Sequence, residues 1–212
     1  LTNWQDSYDG RSKEPVLLPS LFPMLLMNGS DGVAVGLSTK IFPHNFSEIL
    51  RESIAVLEGY SPQIVPDFPS GGSLDASNYR DGKRGGKIVV RARIDVVDDC
   101  SVMISELPYG VTTTSLISSI VTAHEKEKIK LKKIEDNTGE NVAIKISLSK
   151  DVSASEFVEQ LYLFTDCEIT LSPQCCVIIC GQPNFCGISS LIVQSVQRTK
   201  TLLLSRLKLD LK

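Results

Sequence analysis

With 212 residues, 42% hydrophobic composition and a formal net charge of −3, the sequence is long enough for one or two globular domains with an adequate core. The slight negative charge excludes recruitment of nucleic acid by net charge, so any such contact must rest on a local basic patch. No apolar run approaches membrane-spanning length and no basic-then-apolar leader opens the chain, so no membrane partner is expected.

Leu1 to Met27 reads as an extended lead-in, because Pro15, Pro19 and Pro23 disfavour a continuous helix. An opening at Leu1, without methionine and without a helix or strand signal, fits an internal piece of a longer chain that packs against material upstream. Asn28 to Asn45 reads NGSDGVAVGLSTKIFPHN, with Gly29, Gly32 and Gly36 inside eight residues and Ile41 and Phe42 set against Pro43. Glycine tolerates positive φ and close backbone approach, and proline fixes its own φ while extending the residue before it. The expectation is a stiff, tightly turned loop holding up two large apolar side chains.

Asn45 is a good helix N-cap, and Glu48 three places on suits a variant of the capping box. Phe46, Ile49, Leu50, Ile54 and Leu57 recur at helical spacing, and Gly59 is placed to close the helix. Tyr60 to Gly86 follows as a connection rich in Pro, Gly, Ser and Asp, with a short helix expected around Asp75 to Arg80. Connections of this length are often functional.

From Lys87 the period changes to two. Val90, Ala92, Ile94 and Val96 alternate with Arg91, Arg93 and Asp95, as in one half-buried strand. Asp98-Asp99 is a turn, and Ser101 to Glu106 returns as the partner strand. Thr112 to Lys128 reads as an amphipathic helix through Leu116, Ile117, Ile120 and Val121, and the lysine-rich run Glu125 to Lys133 as its solvated end. Val142 to Leu148 gives another alternating strand, and Ser153 caps a helix carrying Phe157, Val158, Leu161 and Tyr162. Strands over Cys167 to Leu171 and Cys175 to Cys180 flank a turn at Ser172-Pro173. Ser189 to Lys212 is a long amphipathic helix without a C-cap signal. Strands interleaved with helices, several joined as hairpins, give an α+β fold class.

Five of the six cysteines (Cys100, Cys167, Cys175, Cys176, Cys180 and Cys186) fall within twenty residues. No Cys-x-x-Cys pair and no nearby histidine support zinc, so cysteine serves as a small hydrophobe in a buried strand, with reduced thiols. Two histidines, His44 and His124, assemble neither a metal cage nor a convincing triad.

The stretch Asn28–Asn45 resembles, gap-free over eighteen positions, the breakage-reunion (A) subunit of bacterial type IIA topoisomerases, DNA gyrase and topoisomerase IV, whose pattern is close to NGxxGIAVGxxTxIPPHN. Phe42 replaces the family's usual proline and Val33 a common isoleucine. Tyr8-Asp9-Gly10 with PVLLP (Pro15–Pro19), PDFPSGG (Pro66–Gly72) and RGGKIVVRAR (Arg84–Arg93) are similar to further family segments in the family's order. ELPYGVTTTSLI (Glu106–Ile117) and KIEDNTGENVAIKI (Lys133–Ile146) are nearer to topoisomerase IV than to gyrase.

The resemblance implies a mixed sheet with flanking helices, the tower of the breakage-reunion core, over 28–188. Residues 1–27 would lead in from a winged-helix domain, and 189–212 would start a coiled-coil helix toward the exit-gate dimer contact. It implies double-stranded DNA as partner, a homodimer of A subunits in an A2B2 assembly with the B protein, and a cytoplasmic place. Mg2+ and ATP are held by that B partner, and this chain itself carries no cofactor, no metal and no catalytic residue. The family's nucleophilic tyrosine follows an arginine and lies upstream of everything present here. Of Tyr8, Tyr60, Tyr79, Tyr109 and Tyr162, only Tyr79 has an arginine neighbour, in the reverse order.

By the same resemblance Ile41 enters between base pairs and kinks the duplex, as an apolar wedge suits; by sequence physics alone it packs into its own domain. Phe42 packs beneath the wedge or helps it. His44 donates to a phosphate or bonds a nearby carbonyl, and Asn28, Ser38, Thr39 and Asn45 suit phosphate and sugar contacts as well as turn and cap bonds. Lys40, beside the wedge, is the more direct phosphate partner. In a second basic group, Arg80, Lys83, Arg84, Lys87, Arg91 and Arg93, alternation puts Lys87, Arg91 and Arg93 on one face, lining a bent duplex or a solvated edge. The rival readings are a non-enzymatic DNA-bending or adaptor protein of the same fold, and a protein-interaction module indifferent to DNA.

Overall fold

A computed structural model describes residues 1–148 and 153–211. The N-terminal stretch carries a hairpin, β1 (Trp4–Asp6) antiparallel to β2 (Lys13–Pro15), and a short helix α1 (Met24–Asn28). The extended lead-in is thus corrected to a hairpin and a short helix. Asp9 and Gly10, the latter at φ 65°, turn the chain back, and Pro23 stands at the start of α1, where its missing N–H removes no helical bond.

The glycine-rich stretch is not a bare loop but a second hairpin, β3 (Ser30–Ala34) with β4 (Leu37–Ile41), followed by α2 (Phe46–Leu57). Asn45 starts α2 as expected: its Oδ1 accepts from Ser47 N at 2.9 Å and Glu48 N at 3.4 Å. Gly59, at φ 95°, ends it with an N–H bond to Val56 O at 3.1 Å. The short helix expected over Asp75 to Arg80 is absent. Asp75 ends β5 (Ser73–Asp75) and its carboxylate accepts from Ser77 N, an Asx turn that diverts the chain. A 3-10 turn at Arg80–Gly82 follows instead.

The basic alternating segment divides into β6 (Ile88–Arg91) and β7 (Arg93–Asp98), and β7 turns into β8 (Ser101–Glu106). Helix α3 (Thr113–Glu125) begins at a Thr112/Ser115 capping box. The run beyond it is corrected from a solvated helix end to β9 (Leu131–Asp136), reached through Glu127 at φ 56° and the buried Ile129. Then come β10 (Ile144–Leu148), α4 (Ala154–Phe164), β11 (Glu168–Leu171), β12 (Cys176–Ile179), β13 (Gln182–Phe185) and α5 (Ile188–Asp210). Strand β12 is not the buried strand expected: Ile178 is 70% exposed and Cys180 lies on the surface, while Cys175 is buried. Lys212, the expected end of the last helix, lies outside the described residues.

These elements form a mixed α/β chain with two compact units that interleave in sequence. The first comprises Leu1–Asp67, Arg80–Arg84 and Pro173–Lys212, and the second Phe68–Tyr79 and Gly85–Ser172. In the second unit an antiparallel sheet of order β7-β8-β10-β9 and a three-stranded sheet β11-β6-β5 are joined at Ala92, whose N–H bonds Cys167 O at 2.7 Å. Val102, Ile104, Ile144 and Ile146 on the larger sheet meet Leu116 and Ile120 of α3 and Phe157 and Leu161 of α4 in one core. Burying each such side chain contributes about 1.5–3 kcal/mol.

The first unit packs α2 against α5 and holds the hairpins β3-β4 and β12-β13. Leu26, Ile41, Phe42, Ile49, Ile188 and Ile192 are buried in it. Among the described residues no helix is long and apolar enough to cross a membrane.

Candidate nucleic-acid interface

The hairpin β3-β4 pairs Ser30 with Ile41, Asp31 with Lys40, Gly32 with Thr39, Val33 with Ser38 and Ala34 with Leu37. A two-residue turn at Val35-Gly36 closes it, and Gly36 at φ 76° supplies the left-handed residue. The tip is apolar and bare: Val33 is 87% exposed and Val35 is fully exposed.

The returning strand is braced from outside the hairpin. Gln174 and Lys40 form an antiparallel bridge, and the Gln174 side-chain amide donates to Ser38 O and Ser38 Oγ, both at 2.9 Å. Thr39 Oγ1 lies 3.4 Å from both Gln174 O and Cys176 N. Lys40 Nζ stands 3.6 Å from Asp31 across the strands, a screened surface pair that contributes little and leaves the ammonium available. Ser38, Thr39 and Lys40 therefore sit on a strand fixed on both sides, with Asn28 exposed at the end of α1.

The next residues point inward. Ile41 is 4% exposed and Phe42, Pro43 and His44 are buried behind it. Gly29, at φ 72°, is required at this spot because a Cβ there would come within 2.6 Å of Ile41 O. The expectation of a wedge held up to solvent is thus corrected for this arrangement: the apolar character that suits a wedge also drives Ile41 into the nearest core.

His44 is buried beside it. At 3% exposure its Nδ1–H donates to Leu26 O at 3.2 Å, and its backbone N–H bonds the same carbonyl at 2.9 Å. Of the two roles open to it, the carbonyl bond is the one made. Burial pushes its pKa below the ordinary 6.5, against weaker upward pulls from the hydrogen bonds to Leu26 and Phe42 and from Asp81 and Asp67. Asn45 is engaged as the cap of α2, and its amide donates to Asp67 Oδ2 at 2.9 Å.

The second basic group is divided between the two units. In the second unit Lys87 precedes β6, Arg91 ends β6 and Arg93 starts β7, so the single strand expected to carry them is broken at Ala92. Arg91 pairs with Glu168 and lies over the Tyr162 ring at 5.2 Å. Arg93 pairs with Glu106 at 3.4 Å and approaches Asp95 at 3.8 Å. Carboxylates thus offset two of these three charges. Arg80, Lys83 and Arg84, in the first unit, are exposed, and no ion pair involves them among the described residues.

All six cysteines are free thiols, with Cys175 and Cys186 Sγ 3.9 Å apart. Burial pushes Cys167 up to about 11 and Cys175 up to about 12. No group of three or more His, Cys, Asp or Glu side chains suited to a metal ion occurs among the described residues. Sequence reasoning missed Gln174, which carries no local motif, and the left-handed turn at Arg80–Gly82, which the Asp81-Gly82 pair signals.

The family of the DNA gyrase/topoisomerase IV A subunits matches residues 1–212. The DNA topoisomerase 4 A subunit of Borreliella burgdorferi is 50% identical over 172 residues, covering 81% of this chain and 27% of that protein. The DNA gyrase A subunit of Chlamydia pneumoniae is 30% identical over 225 residues, covering 97% of this chain and 27% of that protein. The DNA gyrase A subunit of Streptococcus pyogenes is 30% identical over 233 residues, with 98% and 27% covered. The chain spans about a quarter of the length of these relatives.

Proposed function

The chain belongs to the family of DNA gyrase/topoisomerase IV A subunits, and on that premise we propose that it is the duplex-binding and duplex-bending part of a type IIA topoisomerase. In the whole protein it would shape the DNA segment that is cut, while a tyrosine upstream breaks and rejoins it so that a second duplex can pass. Residues 28–188 act as the tower and the helix from Ser189 as the start of the coiled coil. The A subunits work as a dimer with two B subunits, which hold Mg2+ and ATP, in the cytoplasm. The chain by itself is inactive, because the nucleophile lies outside it.

The observation that carries this reading is the braced hairpin: Ser38, Thr39 and Lys40 lie along one fixed strand beside a bare apolar tip. Short polar groups and a lysine suit phosphates. Ile41 is the wedge. Entering a base step takes it from one apolar surrounding to another, and emptying its pocket is a cost that the contacts of the bent duplex must also offset. Unstacking the step costs a few kcal/mol, which the contacts of the bent duplex offset. Lys87, Arg91 and Arg93 meet the backbone of the bent arm, the two arginines exchanging their carboxylate partners for phosphates.

The test is the salt dependence of duplex affinity for the full-length protein. The proposal predicts a linear fall of log K with log salt concentration, with a slope near 0.9 per phosphate neutralised. Absence of salt-dependent duplex binding would support a protein-interaction module instead.

A further inference from the structure

The turn Arg80–Gly82 places two successive non-glycine residues in the left-handed region, Arg80 at φ 53° and Asp81 at φ 56°, before Gly82 at φ 71°. Such backbone persists only where its surroundings hold it. Here the hold is visible. Asp81 Oδ1 accepts from Ser189 N at 2.9 Å, and Ser189 Oγ lies 2.8 Å from the same oxygen and 3.0 Å from Pro62 O, sharing its one proton. Helix α5 has Gly187 at its N-cap with no side-chain cap bond of its own, so Asp81 supplies the carboxylate that its first turn attracts. On the other side of the turn, Gly82 O accepts from Cys175 N at 3.0 Å, and the neighbouring Gln174 bridges to Lys40.

Lys40, the Gln174-Cys175 segment and Gly82 therefore lie side by side by backbone pairing. At strand spacing of about 4.8 Å, Lys40 and Gly82 are about 10 Å apart, close enough for both to meet neighbouring phosphates of one DNA backbone. Asp81, the acid of this loop, is engaged on α5, while Arg80, Lys83 and Arg84 remain exposed.

We infer that Arg80, Lys83 and Arg84 form a phosphate-binding surface continuous with Lys40, and that Asp81 is a positioning residue that presents it. The inference rests on the duplex-binding reading above. It assigns the principal backbone contact of the first unit to a loop ordered by the head of α5, distinct from the carboxylate-paired arginines of β6 and β7.

The experiment is the salt dependence of duplex affinity for the full-length protein with its B partner, alongside thermal melting. Removing Arg80, Lys83 and Arg84 together (each →Ala) is expected to lower the salt slope by roughly one to three, at about 0.9 per lost phosphate contact, without changing the melting temperature. Removing three exposed lysines of the second unit, Lys126, Lys130 and Lys132, leaves the slope within about 0.5. Asp81→Ala is expected to weaken duplex binding severalfold although it removes a negative charge; Asp81→Asn, whose amide oxygen still accepts from Ser189, retains it. A wild-type slope in the triple variant, or tighter binding by Asp81→Ala, overturns the inference. Should wild type itself show no salt-dependent binding, the duplex-binding reading fails and this inference fails with it.

Discussion

Gln174 and Lys40, 134 positions apart, exchange both backbone hydrogen bonds, Lys40 N to Gln174 O at 2.8 Å and Gln174 N to Lys40 O at 3.0 Å. The bridge turns the flank of a two-stranded hairpin, which is marginal by itself, into the middle of a paired surface. Gln174→Ala keeps the backbone pair but loses the two amide bonds to Ser38. Loss of about 1 kcal/mol of stability is expected, with faster hydrogen exchange confined to 30–41. Unchanged exchange there would show that the hairpin does not depend on this brace.

His44 makes stability pH-dependent in a defined direction. Its folded pKa lies below the ordinary 6.5 because the ring is desolvated. Above 6.5 the ring is neutral in both states and its contribution is complete. As pH falls through 6.5 toward the depressed folded value, the unfolded chain takes up a proton that the folded one refuses, and stability is lost at up to about 1.4 kcal/mol per pH unit. Urea unfolding at pH 7.5 and 5.5 should show this loss in wild type and a smaller one in His44→Gln. Equal losses would place the titration elsewhere.

The thiols should separate into classes. Cys100 and Cys180 are exposed and should react with iodoacetamide at pH 8 in the native state. Cys167 and Cys175 are buried, with thiols pushed up to about 11 and about 12, and the thiolate is the nucleophile. They should react only on unfolding, which peptide mapping by mass spectrometry resolves. Native labelling of Cys175 would contradict the packing described around β12.

Helices with their own punctuation were legible in the sequence: Asn45 and Gly59 bound α2, and Thr112 starts α3, because caps are local. Strand partners were not. Val90 to Val96 alternates without interruption, yet β6 pairs with β11 and β5 while β7 pairs with β8, since period two fixes a face and not a neighbour. Strand β13, with Pro183 and four exposed residues, and the lysine-bearing edge strand β9 carried no apolar period to read. The order of the resembling motifs, confirmed by the family match along the whole chain, gave the family. Sequence left Ile41 open between wedge and core, because what covers a side chain is a tertiary fact.

Its burial makes Ile41 costly to truncate. Ile41→Val should lower stability by about 0.5–1.5 kcal/mol and Ile41→Ala by about 2–5 kcal/mol, measured by chemical unfolding. A negligible effect would mean that the pocket around Ile41 collapses or is not formed.

The most direct measurement is the bend itself, by energy transfer between dyes at the two ends of a short duplex bound to the full-length protein with its B partner and Mg2+. Wild type, Ile41→Ala and Val35→Ser are compared at saturating occupancy, with melting recorded for each. The bend is predicted to be lost in Ile41→Ala and kept in Val35→Ser, with strand cleavage falling alongside the bend. An Ile41→Ala protein that is folded, fully bound and bends DNA as wild type does would contradict the account and leave Ile41 a core residue.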